Sequence, residues 1–168
     1  MLTVDQEVQR ALTAGATRSA GWRGESRMVE LNTLQEGDVL VFPTKDKGFE
    51  VFDDNRFKDR NDNPTQFIVV PTEKGEARRI YASTFSKTRQ IWEEIGGTIR
   101  PTGQTAKVSG DIIDKMQAKQ GTLTDQMNEL LDKKILVEKV MTYKTRRFGT
   151  NELQNATFPI FKDVTNKK

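Results

Sequence analysis

Tyr143-Lys144-Thr145-Arg146-Arg147-Phe148 is the stretch of this chain best suited to chemistry with a ligand. Three cations and two aromatic rings stand within six residues. On a strand, Lys144, Arg146 and Phe148 share one face, and Tyr143 and Arg147 share the other. Cations track phosphates and rings stack on bases, so the pattern points to a polyanion, single-stranded nucleic acid above all. The surrounding charge agrees. Residues 133–168 hold nine Lys/Arg against three Asp/Glu, a net of +6, whereas the preceding 132 residues net −3. The overall +3 is therefore segregated, and a segregated charge makes a field with direction. Lys139 precedes the cluster. Arg78, Arg79 and Tyr81 repeat the basic-aromatic mix on an earlier segment, which strengthens the reading if the two segments share a sheet. Against it stands the plain reading, a solvated hairpin whose Lys and Arg protect a sheet edge, or a surface for an acidic protein.

Other chemistry is thin. The chain has neither Cys nor His, which removes thiol nucleophiles, disulfides, His-based triads and the usual zinc ligands. Glu93 and Glu94 are adjacent in a segment read as helix, so they point apart and make no catalytic pair. The acidic run from Asp59 fails as a calcium loop, with Pro64 where a Gly is required and Val70 where a Glu is required. No phosphate-cradling Gly loop is present. The chain is expected to be no enzyme and to need no metal or cofactor.

The elements that must position these residues follow from periodicity. Val4, Val8 and Leu12 mark a helix over 3–14, with Thr3 or Asp5 as its cap. Residues 15–27 are small, basic and Gly-rich, a linker or arm anchored by Trp22. Trp22 packs either on its own domain or on a neighbour. Val39–Phe42 and Phe49–Phe52, separated by Thr44-Lys45-Asp46-Lys47, predict a hairpin. Residues 53–64 read as a long polar loop. Gln66–Val70 and Ala77–Tyr81 predict a second hairpin. Ser86–Ile95 reads as a helix stopped by Gly96-Gly97, with a turn-rich stretch over 98–108. Ser109 is a candidate cap for a helix with Ile112, Ile113 and Met116, and Thr122 with Asp125 makes a capping box ahead of Leu123, Met127, Leu130 and Leu131. Those two helices followed by a hairpin have the order of a winged helix, but Asp125, Glu129 and Asp132 would meet phosphates, so helical DNA reading is disfavoured. A last hairpin pairs Ile135–Phe148 with Ala156–Phe161.

The expected architecture is α+β: a small curved antiparallel sheet or barrel with two to three packing helices. It resembles oligonucleotide-binding barrels in general arrangement only. An N-terminal helix and flexible arm (1–30) precede a single domain (31–168). The N-terminus has no basic start or apolar run, and no stretch approaches the ~18 apolar residues of a membrane span. A cytoplasmic or virion-associated protein, neither secreted nor membrane-bound, is expected. The leading expectation is a non-enzymatic, sequence-tolerant nucleic-acid-binding protein using Arg78, Arg79, Tyr81, Lys139, Tyr143, Lys144, Arg146, Arg147 and Phe148. The alternative is a structural subunit of a virion or other large assembly, forming homo- or hetero-oligomers through residues 1–30 and the basic C-terminus.

Overall fold

The computed structural model describes residues 1–23, 33–58, 62–85, 89–106, 110–119, 121–146 and 152–166. Helix α1 (Val4–Thr13) begins where the sequence predicts. Thr3 Oγ1 accepts from the Gln6 N–H at 3.3 Å and Gln6 Oε1 accepts from the Thr3 N–H at 3.0 Å, a reciprocal capping box. Its most buried residues are Ala11 and Glu7, flanked by Val8 and Leu12.

Strands β1 (Thr17–Arg18), β3 (Phe52–Lys58), β4 (Pro64–Pro71) and β5 (Ala77–Tyr81) form one antiparallel sheet in the order β1-β3-β4-β5. The run Phe67-Ile68-Val69-Val70 is apolar at every position because both faces of β4 are covered. Phe52, Phe67 and Tyr81 stand in one cross-strand row beneath α1, with ring centroids 5.5 and 5.2 Å apart. Ile68, Val70 and Ile80 point the other way, into the main core.

That core is closed by a second sheet, β2 (Val39–Val41), β8 (Lys134–Arg146) and β9 (Leu153–Asp163), and by helices α2 (Asp111–Ala118) and α3 (Leu123–Met127). Leu40, Phe42, Phe85, Ile112, Ile113, Met116, Met127, Ile135, Val137 and Phe161 fill it. Strand β2 joins the two sheets. It pairs with β8, and a single bridge links Leu40 to Thr72 beyond β4. The capping box of Thr122 and Asp125 forms as expected. Helix α2 instead starts at Gly110, without a side-chain cap, while Ser109 lies outside the described residues. Gly110 has φ +134°, and a Cβ there would lie 1.7 Å from the Phe161 carbonyl oxygen, so only glycine permits this approach of α2 to β9.

A third, two-stranded sheet consists of β6 (Arg89–Ile95) and β7 (Thr98–Ala106). Here the structure corrects the sequence reading. The helix expected over 86–95 is a strand from Arg89 onward, and the turn-rich stretch at 98–108 is its partner as far as Ala106. Gly96 and Gly97, read as a helix stop, have φ +54° and +80° and form the two-residue turn of a hairpin. Positive φ at both central positions gives the backbone twist that suits a tight hairpin.

Two further expectations change. Val39–Phe42 and Phe49–Phe52 do not pair with each other; β2 joins β8, and β3 joins β1 and β4. The polar stretch after Phe52 is not wholly loop, since 52–58 is strand. Asp54 is buried there because Arg56 and Tyr81 satisfy its carboxylate, an arrangement that composition alone does not signal. The architecture is thus α+β with antiparallel sheets and three helices, and among the described residues the sheets do not close into a barrel.

Candidate nucleic-acid interface

The nine residues singled out from the sequence fall on two different sheets. Arg78, Arg79 and Tyr81 belong to β5; Lys139, Tyr143, Lys144 and Arg146 belong to β8; Arg147 and Phe148 lie outside the described residues. The shared-sheet condition is therefore not met.

The β5 trio faces inward. Arg78 is 6% exposed, and its guanidinium donates to both Asp38 carboxylate oxygens at 2.7 and 3.2 Å and to Glu76. The hydrogen bonds to Asp38 raise its pKa despite burial. Arg79 donates to Glu7 Oε1 from Nε and Nη2, at 3.1 and 2.7 Å, and lies 4.5 Å over the Phe67 ring. Tyr81 is fully buried, donating to Asp54 Oδ2 at 2.5 Å and accepting from Arg79 Nη1 at 3.4 Å. Burial first, then the bond to Asp54, pushes the phenol pKa up. Burial alone would raise the Asp54 carboxyl, but the hydrogen bonds from Arg56 and Tyr81 outweigh it and hold the pKa below its ordinary value. The result is a continuous chain Glu7–Arg79–Tyr81–Asp54–Arg56 that fastens α1 to its sheet. These three side chains are occupied in holding the fold.

The β8 group is placed by a β-bulge. Val137 pairs with Phe161 and Lys139 with Ile160, so Glu138 is an extra residue that shifts the alternation. Beyond it Tyr143 opposes Ala156, Lys144 opposes Asn155 and Arg146 opposes Leu153. Lys144 and Arg146 thus share a face, and Lys139 falls with Tyr143 on the other. Tyr143 is 7% exposed and packs edge-on against Phe158, centroids 5.3 Å apart, with Ile91 alongside. Lys139 and Lys144 are exposed.

Trp92 is the residue the sequence reading missed. The Arg146 guanidinium carbon sits 4.0 Å from the Trp92 ring centroid, a cation–π contact of about 0.5–2 kcal/mol. Arg146 Nε is buried there with no hydrogen-bond partner among the described residues. Consecutive residues Ile91 and Trp92 engage Tyr143 and Arg146, which stand on opposite faces of β8. Strand β6 therefore flanks the distal hairpin. A cleft of about 570 Å3 lies between the two hairpins, lined by Trp92, Glu93, Glu94, Ile99, Lys144, Glu152 and Leu153. The signal that could have found Trp92 is the Gly-Gly pair set among Ile91, Ile95, Thr98 and Ile99, which fits a hairpin turn better than a helix stop.

A second cavity of about 500 Å3, between the start of α1 and the 43–50 loop, includes none of the nine residues. No group of three or more Asp/Glu among the described residues is arranged to hold a metal. Among the described residues no helix is long and apolar enough to cross a membrane. Comparison of the chain with protein-family models, with curated proteins and with solved structures finds no match.

Proposed function

We propose that this protein binds single-stranded nucleic acid, without strong sequence preference, through the distal β8–β9 hairpin and its junction with β6–β7. The observation that carries the reading is the Arg146 guanidinium held over Trp92, a ring that lines one cleft together with exposed Lys144. An arginine plane backed by an indole is a rigid platform for a base, and the neighbouring ammonium reaches a phosphate. Arg147 is the next cation along the chain. Arg78, Arg79 and Tyr81 leave this footprint because their side chains are engaged internally, and Lys139 stands on the opposite face.

The assembly alternative has less to draw on. The arm's described part is folded on its own chain: Thr17 pairs with Asp53, Trp22 packs edge-on against Phe49 at 5.8 Å, and Arg23 bonds Asp53 and Gln66.

Fluorescence anisotropy with single-stranded and duplex oligonucleotides, titrated with salt, tests the proposal. Three phosphate contacts on a single strand give a slope of log K against log salt of about −2. Replacing Lys144 and Arg147 by Glu, with Arg146 kept to hold Trp92, should abolish binding. An unchanged affinity in that variant, or a flat salt dependence, refutes the footprint.

A further inference from the structure

We propose that the cavity between the start of α1 and the 43–50 loop binds a small apolar molecule carrying one amide group, held by the backbone of Val69. This site is independent of the nucleic-acid reading. It arises from an interruption in the first sheet. Strand β3 pairs with β4 only from Pro64 to Phe67, whereas β5 pairs with β4 as far as Pro71. Beyond Phe67, β4 keeps one partner and loses the other. Thr72 N–H donates to the Glu76 carbonyl, so Val70 and Ile68, at every second position before it, bond toward β5. Arg79, opposite Val69, turns its own N–H and C=O outward to Thr33. Val69 therefore directs its N–H and C=O to the other edge, where Glu50 would meet it if β3 reached back that far. Glu50 lies outside the strand, and neither backbone group of Val69 has a hydrogen-bond partner among the described residues.

The cavity lies at this gap. Ile68, Val69, Val70 and Pro71 all line it. A cavity on one face of a strand meets alternate residues, so a lining of consecutive ones places it along the edge. Val4, Val41, Phe42 and Phe49 supply apolar walls, and the volume of about 500 Å3 suits a small molecule. The loop wall is fixed, since Gly48 N–H donates to the Thr44 carbonyl at 2.9 Å and Lys45 N–H to Asp132 Oδ1 at 3.3 Å. An unpaired strand residue offers a donor and an acceptor side by side, the pattern that one acylated amino-acid residue satisfies in an antiparallel pair. The gap is too short for a passing strand. Phe52 pairs with Phe67 at one end, and β2 crosses at the other through the Leu40–Thr72 bridge. The occupant is therefore a single amide-bearing unit with its apolar part against Phe42 and Phe49. The charged lining suits a neutral ligand: Lys47 stands against Asp5 and Glu50, and the Glu50 carboxylate already accepts from Arg18 Nε at 2.8 Å.

The test uses N-acetyl-phenylalanine N-methylamide as probe, followed by proton–nitrogen NMR correlation spectra of the full chain. In the free protein the Val69 amide should exchange with solvent faster than those of Ile68 and Val70, and equal protection at all three overturns the open edge. Saturable shifts centred on Val69 and Phe49 are expected, with a Kd of about 1 mM, the scale open to a molecule of this size. The analogue methylated on the phenylalanine nitrogen lacks the donor and should bind about 10-fold more weakly. Equal binding of the two probes, or no shift with either, overturns the proposal. Val4→Trp fills the cavity from α1 and should abolish the shifts while the rest of the spectrum stays that of a folded chain; shifts at Val69 that persist in this variant place the probe elsewhere and refute the site. A longer blocked peptide that binds more tightly than the single residue assigns the gap to an extended partner chain and overturns the small-molecule reading.

Discussion

Tyr81→Phe removes a single oxygen from the buried chain that links α1 to its sheet. The hydroxyl donates to Asp54 Oδ2 at 2.5 Å, and Asp54 is 2% exposed. A hydrogen bond to a charged group contributes about 1.5–3 kcal/mol, and a buried acceptor deprived of its donor loses most of that. With an m-value of about 2 kcal/mol/M the urea midpoint at pH 7 should fall by about 1 M, with the slope unchanged. The effect should also depend on pH. Asp54 is held below its ordinary carboxyl value of 3.8 in the folded protein. Its contribution to stability is therefore fully present above the unfolded value and is lost as pH falls through the folded value. Without the Tyr81 donor the folded pKa rises, so the gap between wild type and variant is widest near neutral pH and narrows in acid. Urea titrations at pH 7 and near pH 3 measure both effects. A midpoint shift below about 0.25 M at pH 7, or a gap that widens in acid, refutes the account of Asp54. Nucleic-acid binding by the variant should match wild type wherever the protein remains folded, because Tyr81 is outside the proposed footprint.

Two further outcomes follow from the same geometry. Glu7 and Arg79 form a nearly buried pair at 2.7 Å, so a double-mutant cycle with Ala at each should return a coupling of about 1–3 kcal/mol in chemical denaturation, and a value near zero would sink the view that this pair fastens α1. Gly97→Val places a β-branched residue at φ +80° in the β6–β7 turn, which should cost about 1–2 kcal/mol in thermal unfolding and alter the Trp92 fluorescence, whereas Thr98→Val on the adjoining strand should do neither; equal effects at both positions would remove the turn from the explanation.

The parts of the fold legible in the sequence are those where local chemistry and tertiary structure agree. Thr3 with Gln6 and Thr122 with Asp125 cap their helices through residues three positions apart, and the β4–β5 and β8–β9 hairpins join segments that are neighbours in the chain. The misreadings arise where distant residues decide. Asp54 can sit in a strand because Tyr81, 27 positions away, donates to it. Val39–Val41 pairs with Lys134–Leu136 and not with the nearer apolar run, a choice invisible to any short window. The helix assigned to 86–95 drew on the spacing of Ile91, Trp92 and Ile95, which a twisted, partly covered hairpin can also accommodate.

The candidate site divides in the same way. Lys144 and Arg146 sharing a face could be read from alternation alone. Arg78 and Arg79 looked equally available, and only the positions of Asp38 and Glu7 show that their charges are consumed inside the molecule. The Glu138 bulge, which shifts the alternation of β8 between Val137 and Lys139, leaves no mark in the composition.

The three-residue strand β2 also sets a timetable for folding. Leu40 pairs with Ile135, 95 positions later, and β2 holds the two larger sheets together. At the usual synthesis rate of about 5–20 residues per second, β2 leaves the ribosome about 5–20 s before its partner exists. The sheet carrying β3, β4 and β5 can assemble meanwhile from neighbouring segments. Closing the intervening loop then opposes the last step with an entropy term of about 4 kcal/mol. Until then Leu40 and Phe42 wait without the β8 side of their core, an interval in which a nascent chain is most open to chaperones and to mispairing with its neighbours.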